Sequence, residues 1–139
     1  MPQPGFIDHI GIGVPDLEAA REYYDELMRV LGLREWFETG PEGPLNFGPD
    51  GALGSQVFFY KSEEPGAYSR HGVGLHHLAF LVASRAVVRE AHRWACEREA
   101  FVLDEPSEFP QYGEHCYATY WLDPHGFKLE AVSHTPEES

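Results

Sequence analysis

Along residues 6–14 apolar and small or polar positions alternate. Ile10, Ile12 and Val14 fall on one side, and His9, Gly11 and Gly13 on the other. Period-two alternation around a β-branched run predicts a strand with one buried face. Pro15-Asp16 then ends the strand and opens a helix, with Asp16 at the N-cap and Glu18 in the first turn. Leu17, Ala20, Tyr24, Leu27 and Leu31 recur at helical spacing, and Gly32 is suited to the position just past the helix end. Residues 33–38 read as a second strand. Residues 39–55, rich in Gly and Pro, read as loops around a short strand at Leu45-Asn46-Phe47, and 55–61 as a firm strand. The polar stretch 62–73 reads as a linker.

The same order then recurs. Residues 74–82 predict a strand, and Ser84 caps a helix running to about residue 100. Val87, Val88, Ala91, Trp94 and Ala95 form its apolar face. Strands follow near 101–104, at 115–122 and at 127–132, with a loop over 105–114 and a turn at Asp123-Pro124-His125-Gly126. Residues 135–139 read as a polar tail. His9 and His77 lie 68 positions apart, and the caps Asp16 and Ser84 keep that offset. The chain therefore reads as two copies of one strand–helix–three-strand unit: about 5–61, the linker 62–73, and about 74–134. At 139 residues the expectation is a single domain, 1–139.

Strand parity sorts the polar side chains. The apolar sets must face the helices, so His9, His77 and Glu130 should face away from them. If the two sheets curl together, these three meet in one cup. Two imidazoles and a carboxylate with open coordination positions suit Fe, Mn, Ni, Co or Zn as divalent ions. Such a site leaves room for water, O2 or two substrate oxygens. Lys128 shares the face of Glu130. His115, Tyr117 and Tyr112, on or beside the 105–114 loop, are candidate acids, bases or substrate donors near the metal. Parity places His76 on the helix side or at the sheet end. His92 and His134 read as surface, His125 as part of a turn, and His71 and Arg70 as linker residues.

Composition narrows the partners. A net charge of −13 disfavours nucleic acid and anionic membrane surfaces. No apolar run approaches the ~20 residues of a membrane span. Met1-Pro2-Gln3-Pro4-Gly5 has neither a basic region nor an apolar signal segment, so the expected location is cytoplasmic. Cys96 and Cys116, without an export signal, are expected to be packing residues rather than a disulfide.

Asp8-His9-Ile10-Gly11-Ile12 followed by Val14-Pro15-Asp16-Leu17-Glu18-Ala19-Ala20, then His77-Leu78-Ala79-Phe80, then Asp123-Pro124-His125-Gly126 with Glu130, resemble the vicinal oxygen chelate superfamily. That superfamily includes glyoxalase I, fosfomycin-resistance proteins, methylmalonyl-CoA epimerase, bleomycin-resistance proteins and extradiol dioxygenases. The resemblance spans about residues 5–134. It implies an α+β fold of paired βαβββ modules forming a cup-shaped mixed sheet. It also implies His9, His77 and Glu130 as metal ligands, a small-molecule substrate, and a homodimer.

Glyoxalase I carries a second carboxylate on the last strand of the first module. Here Phe58 or Val57 stands in that place, depending on alignment, with Gln56 on the same face as Phe58 and able to act as a fourth ligand. Without that carboxylate, glyoxalase I activity itself is not expected. Two alternatives remain open. Gly113-Glu114-His115, Tyr120-Trp121-Leu122-Asp123-Pro124-His125-Gly126 and Glu130 partly match the extradiol dioxygenase signature, which would use Fe(II). A resistance-type protein would instead bind a drug or other small molecule without catalysis.

Overall fold

A computed structural model describes residues 7–51 and 54–137. The ends of the sequence-predicted units at residues 5, 6, 138 and 139 lie outside them. The chain divides into two compact units, Met1–Gly66 and Ala67–Ser139. The division falls inside the expected linker. Tyr68 is already part of the second unit: its hydroxyl donates to the Leu75 carbonyl, and its ring meets Phe127 edge-on at 4.4 Å.

The first unit comprises β1 (His9–Val14), α1 (Leu17–Leu31), β2 (Arg34–Glu35), β3 (Leu45–Gly48) and β4 (Gln56–Lys61). The second comprises β5 (Leu78–Leu81), α2 (Arg85–Glu97), β6 (Val102–Glu108), β7 (Tyr117–Leu122) and β8 (Lys128–Ser133). Each forms a four-stranded mixed sheet, ordered β1-β4-β3-β2 and β5-β8-β7-β6. In both, the first strand pairs parallel with the last and the remaining pairs are antiparallel. The fold is thus α+β, with paired βαβββ modules, and the repeat legible at the two histidines extends to the whole topology.

Each helix forms where its caps and stripe agree. The Asp16 carboxylate accepts from the Ala19 N–H at 3.1 Å. At the other end Gly32 adopts φ 87°, a conformation open to glycine at little cost. The Leu33 N–H then closes onto the Met28 carbonyl at 2.8 Å. Leu17, Ala20, Tyr24, Leu27, Met28 and Leu31 are buried, and Tyr24 stacks on Phe59 of β4 at 4.2 Å. In the second unit Ser84 accepts from the Val87 N–H at 3.3 Å. Val88, Ala91, Trp94 and Ala95 are buried where α2 packs on β6, β7 and β8. Among the described residues no helix is long and apolar enough to cross a membrane.

Several boundaries differ from the sequence expectation. The second strand is two residues long, not 33–38. Its continuation is diverted to a side chain: the fully buried Asn46 accepts the Trp36 and Phe37 N–H groups at 3.2 Å each and donates to the Phe37 carbonyl at 2.7 Å. β6 continues to Glu108 instead of ending near 104. It is an edge strand, where Pro106 need not supply a ladder N–H, and its pairing with β7 slips at two points. The expected 105–114 loop shrinks accordingly, to a tip closed by the Phe109 N–H on the Cys116 carbonyl at 2.9 Å. Helix α2 stops at Glu97, because Glu99 turns left-handed at φ 57°. Arg85 is buried in the first turn of α2, whereas Val87 is only half-buried. The Arg85 guanidinium lies 4.7 Å over the Tyr117 ring and pairs with Glu108 at 3.0 Å. Cys116 is buried as expected, but Cys96 is exposed and free.

Candidate functional site

In the second unit the chemistry gathers on the sheet face opposite α2. β8 lies between β5 and β7, so Glu130 is flanked on both sides. Leu129 and Ala131 face the helix layer and are buried. Glu130, of opposite parity, is also buried, with 7% of its surface exposed. A carboxylate held away from water needs donors. The imidazole of His77, just before β5, lies beside it, with Nε2 3.2 Å from Glu130 Oε1. Tyr120, opposite Glu130 across the β7–β8 ladder, supplies a donor through its hydroxyl.

The surroundings of this pair are largely apolar and aromatic. Ala118, Tyr120, Val132 and Cys116 cluster beneath Leu103 and Phe109. The Phe109 ring meets Tyr120 edge-on at 5.5 Å, and Lys128 Nζ lies 4.8 Å from the centre of the Tyr120 ring. Burial pushes the Tyr120 phenol well above the usual tyrosine range, and the Glu130 charge and hydrogen bond add to the shift. Burial, then the Glu130 charge, also raises the Cys116 thiol.

The sign of this effect is testable. Up to about pH 10 the phenol is neutral in both folded and unfolded chains. Above that the unfolded chain loses the proton first, so the contribution of Tyr120 to stability falls as pH rises. In urea unfolding, the advantage of the wild type over Tyr120→Phe should shrink between about pH 8 and pH 11. An advantage that grows over that interval would contradict the assignment.

In the first unit His9 opens β1 on the face shared with Gly11 and Gly13, while Ile12 and Val14 are buried on the other. Its Nδ1 lies 2.6 Å from the Asp8 carboxylate. A carboxylate on one ring nitrogen orients the ring and leaves the other nitrogen available as a ligand. The His9 ring meets Phe58 edge-on at 5.3 Å. Gly11 leaves space that Tyr60 uses: a Cβ there would come 3.1 Å from the Tyr60 ring.

Strand register settles the alignment that the sequence left open. Gly11, two residues after His9, pairs with Phe58; Ala79, two residues after His77, pairs with Glu130. Phe58, not Val57, is therefore the counterpart of Glu130. Gln56 pairs with His9 itself, and its amide Nε2 is buried without a hydrogen-bond partner among the described residues.

The other candidates are dispersed. Tyr117 shares the parity of Thr119 and Trp121 and sits under Arg85 and Arg89 of α2, on the sheet face away from Glu130. Tyr112 is 68% exposed at the tip between β6 and β7. His115 holds φ 64° and lies 3.5 Å from Glu114. His76 lies at the sheet end, exposed. Tyr120, first read only as part of a signature, is the residue beside Glu130. The hairpin arithmetic carries that signal: Tyr120 and Glu130 each lie five residues from His125 in the turn. Among the described residues, no group of three or more His, Cys, Asp or Glu side chains forms a metal-holding cluster.

These two βαβββ units carry the sequence hallmarks of a known family. The profile of the Glyoxalase/Bleomycin resistance protein/Dioxygenase superfamily matches residues 8–120, and the chain belongs to that superfamily. A candidate glyoxalase from Bacillus halodurans shares 28% identity, with a TM-score of 0.76 over 94% of this chain and 96% of that one. A glyoxalase/bleomycin resistance protein from Albidiferax ferrireducens is 21% identical, with a TM-score of 0.71 over 91% and 98%. A glyoxalase/dioxygenase from Nostoc punctiforme is 22% identical, with a TM-score of 0.71 over 99% and 97%. No curated protein matches the chain.

Proposed function

We propose that this protein is a metal-dependent enzyme that binds oxygen atoms of a small-molecule substrate at a divalent ion held by His9, His77 and Glu130. The observation that carries the reading is the His77–Glu130 pair: a buried carboxylate 3.2 Å from an imidazole Nε2, on the sheet face without a helix. Removing a carboxylate from water beside an imidazole is costly as a purely structural device, and it is the donor chemistry that a divalent ion requires. Asp8 at His9 and Tyr120 at Glu130 have the character of outer partners that orient ligands. Gln56, whose buried amide Nε2 has no hydrogen-bond partner among the described residues, is the candidate fourth ligand.

The ion would supply Lewis acidity toward a substrate oxygen. The chain's own residues do the rest. Tyr120 holds its proton and keeps Glu130 in place, Phe109 and Tyr120 wall the site, and Lys128 offers a positive charge at its edge. Phe58 at the counterpart of Glu130 removes the second carboxylate base, so glyoxalase I chemistry is not part of the proposal. The proposal includes a cytoplasmic homodimer.

Elemental analysis of the purified protein, before and after incubation with Fe(II), Mn, Ni, Co and Zn, should find about one divalent ion per chain. An activity screen follows with the ion found. Oxygen uptake with Fe(II) and a catechol would select the ring-cleavage branch, in which Tyr120 beside Glu130 takes the signature tyrosine's place. No stoichiometric metal, together with ligand binding unchanged by His9→Ala and His77→Ala, overturns the enzyme reading in favour of simple sequestration.

A further inference from the structure

The parallel ladder between β5 and β8 begins at Leu78 and Leu129. Glu130 lies within it, and His77 just outside. Two stretches of chain enter at the head of that ladder: one runs through Leu75 to His77, the other leaves the Asp123–Gly126 turn at Phe127. Tyr68 touches both. Its hydroxyl donates to the Leu75 carbonyl, two residues before His77. Its ring meets Phe127 edge-on at 4.4 Å, three residues before Glu130. Phe127 is itself fixed, being buried with its N–H on the Asp123 carboxylate at 2.9 Å. Between Tyr68 and Leu75 the chain makes a surface loop. The Ser69 carbonyl accepts the Gly72 N–H at 3.2 Å, and Val73 is fully exposed. The Tyr68 hydroxyl therefore closes the base of a loop whose far end delivers His77.

We propose that Tyr68 is a positioning residue: it clasps the chain before His77 to the turn before Glu130, and so holds the imidazole at the carboxylate. Its consequence for metal binding rests on the reading above. The need for a clasp follows from the register. Because His77 precedes the first ladder pair, the pairing of β5 does not by itself fix its backbone. An exposed segment left free samples many conformations, and ordering it at the moment of binding weakens affinity. A segment fastened on folding has already met that cost. A tyrosine suits the task because its two ends do different things. The ring seats against Phe127, and the hydroxyl reaches the backbone of the returning loop. Tyr68 acts through Leu75 and Phe127, not by touching an ion or a substrate.

Tyr68→Phe separates the two contacts, since it keeps the ring on Phe127 and loses the hydroxyl. In hydrogen exchange of the metal-free protein, the β5 amides of this variant should exchange about 3–10-fold faster, the worth of one hydrogen bond. The β1 amides should not change, which shows that the chain still folds. In 1H–13C spectra of the metal-free protein the ring signals of His77 should move and those of His9 should stay. In competition titrations with Zn2+ the variant should bind about 3–10-fold more weakly than the wild type. Val73→Ser, at the exposed part of the same loop, should leave all three readouts unchanged. Unchanged β5 exchange and His77 signals in Tyr68→Phe overturn the proposal, as does a Zn2+ affinity equal to that of the wild type. Absence of Zn2+ binding in the wild type overturns the metal reading instead, and exchange and ring signals then decide the clasp by themselves.

Discussion

If the proposed site binds a divalent ion, replacing His77 by alanine should lower the affinity by more than the ~100-fold that removal of an outer hydrogen-bond partner costs. Glu130→Gln should do the same with less disturbance. The amide keeps the shape of the carboxylate and can still accept from Tyr120, but it removes the negative charge from a site only 7% exposed. Activity of either variant should fall to the background of the screen. The measurement is metal content after dialysis, with Zn2+ competition to give the affinity and a urea melt of the metal-free variants as a folding control. The two variants separate catalysis from architecture: His77 is partly exposed at the start of an edge strand, whereas Glu130 sits on the strand between β5 and β7. A Glu130→Gln protein that folds normally and keeps its full complement of metal would remove Glu130 from the ligand set.

Trp121→Ala should be the most damaging change outside the site. Trp121 is fully buried on β7, paired with Leu129 of β8 and Val102 of β6, in the layer against α2. Truncating a buried Trp costs about 3–5 kcal/mol, from lost burial plus the cavity left behind. Against a total stability of about 5–15 kcal/mol, that is a large share. The expected drop in melting temperature is about 10–20 °C. Tyr112, 68% exposed, is the internal control; its alanine variant should stay within about 0.5 kcal/mol of the wild type. Urea unfolding of the three proteins decides the matter. A Trp121→Ala loss below about 1 kcal/mol would mean the layer is not packed around this ring.

The elements that were legible from the sequence share one property: their signals are local. The cap at Asp16, the Leu17–Leu31 stripe and Gly32 lie within one helix, and each acts on its own neighbours. Parity assigned Ile12 and Val14 to the buried face of β1 and left His9 outside, because alternation follows from the backbone alone. The turn at 123–126 was recognisable for the same reason: Asp123 accepts from the N–H groups of His125 and Phe127, both at 2.9 Å, within four residues.

What escaped was decided by partners far along the chain. Residues 36 and 37 left the ladder because Asn46 captured their N–H groups, a contact no local pattern announces. Arg85 became a buried residue because Tyr117 and Glu108 receive its guanidinium, which a helical wheel scores as a surface charge. Tyr117 was set aside from Glu130 by the register of β7 on β8, which places Tyr120, three residues on and of opposite parity, across from Glu130.

The sequence by itself determined the duplication, the βαβββ order, the helix faces and the three polar side chains turned from them, since these depend on spacing along one chain and on the hydrophobic need to cover one side of each sheet. Tertiary structure alone decided that His77 meets a buried Glu130, that Tyr120 steadies it, that Phe58 is its counterpart, and that Tyr68 reaches both Leu75 and Phe127. Those facts depend on strand register and ring orientation, and both are set by packing among residues that the chain brings together only on folding.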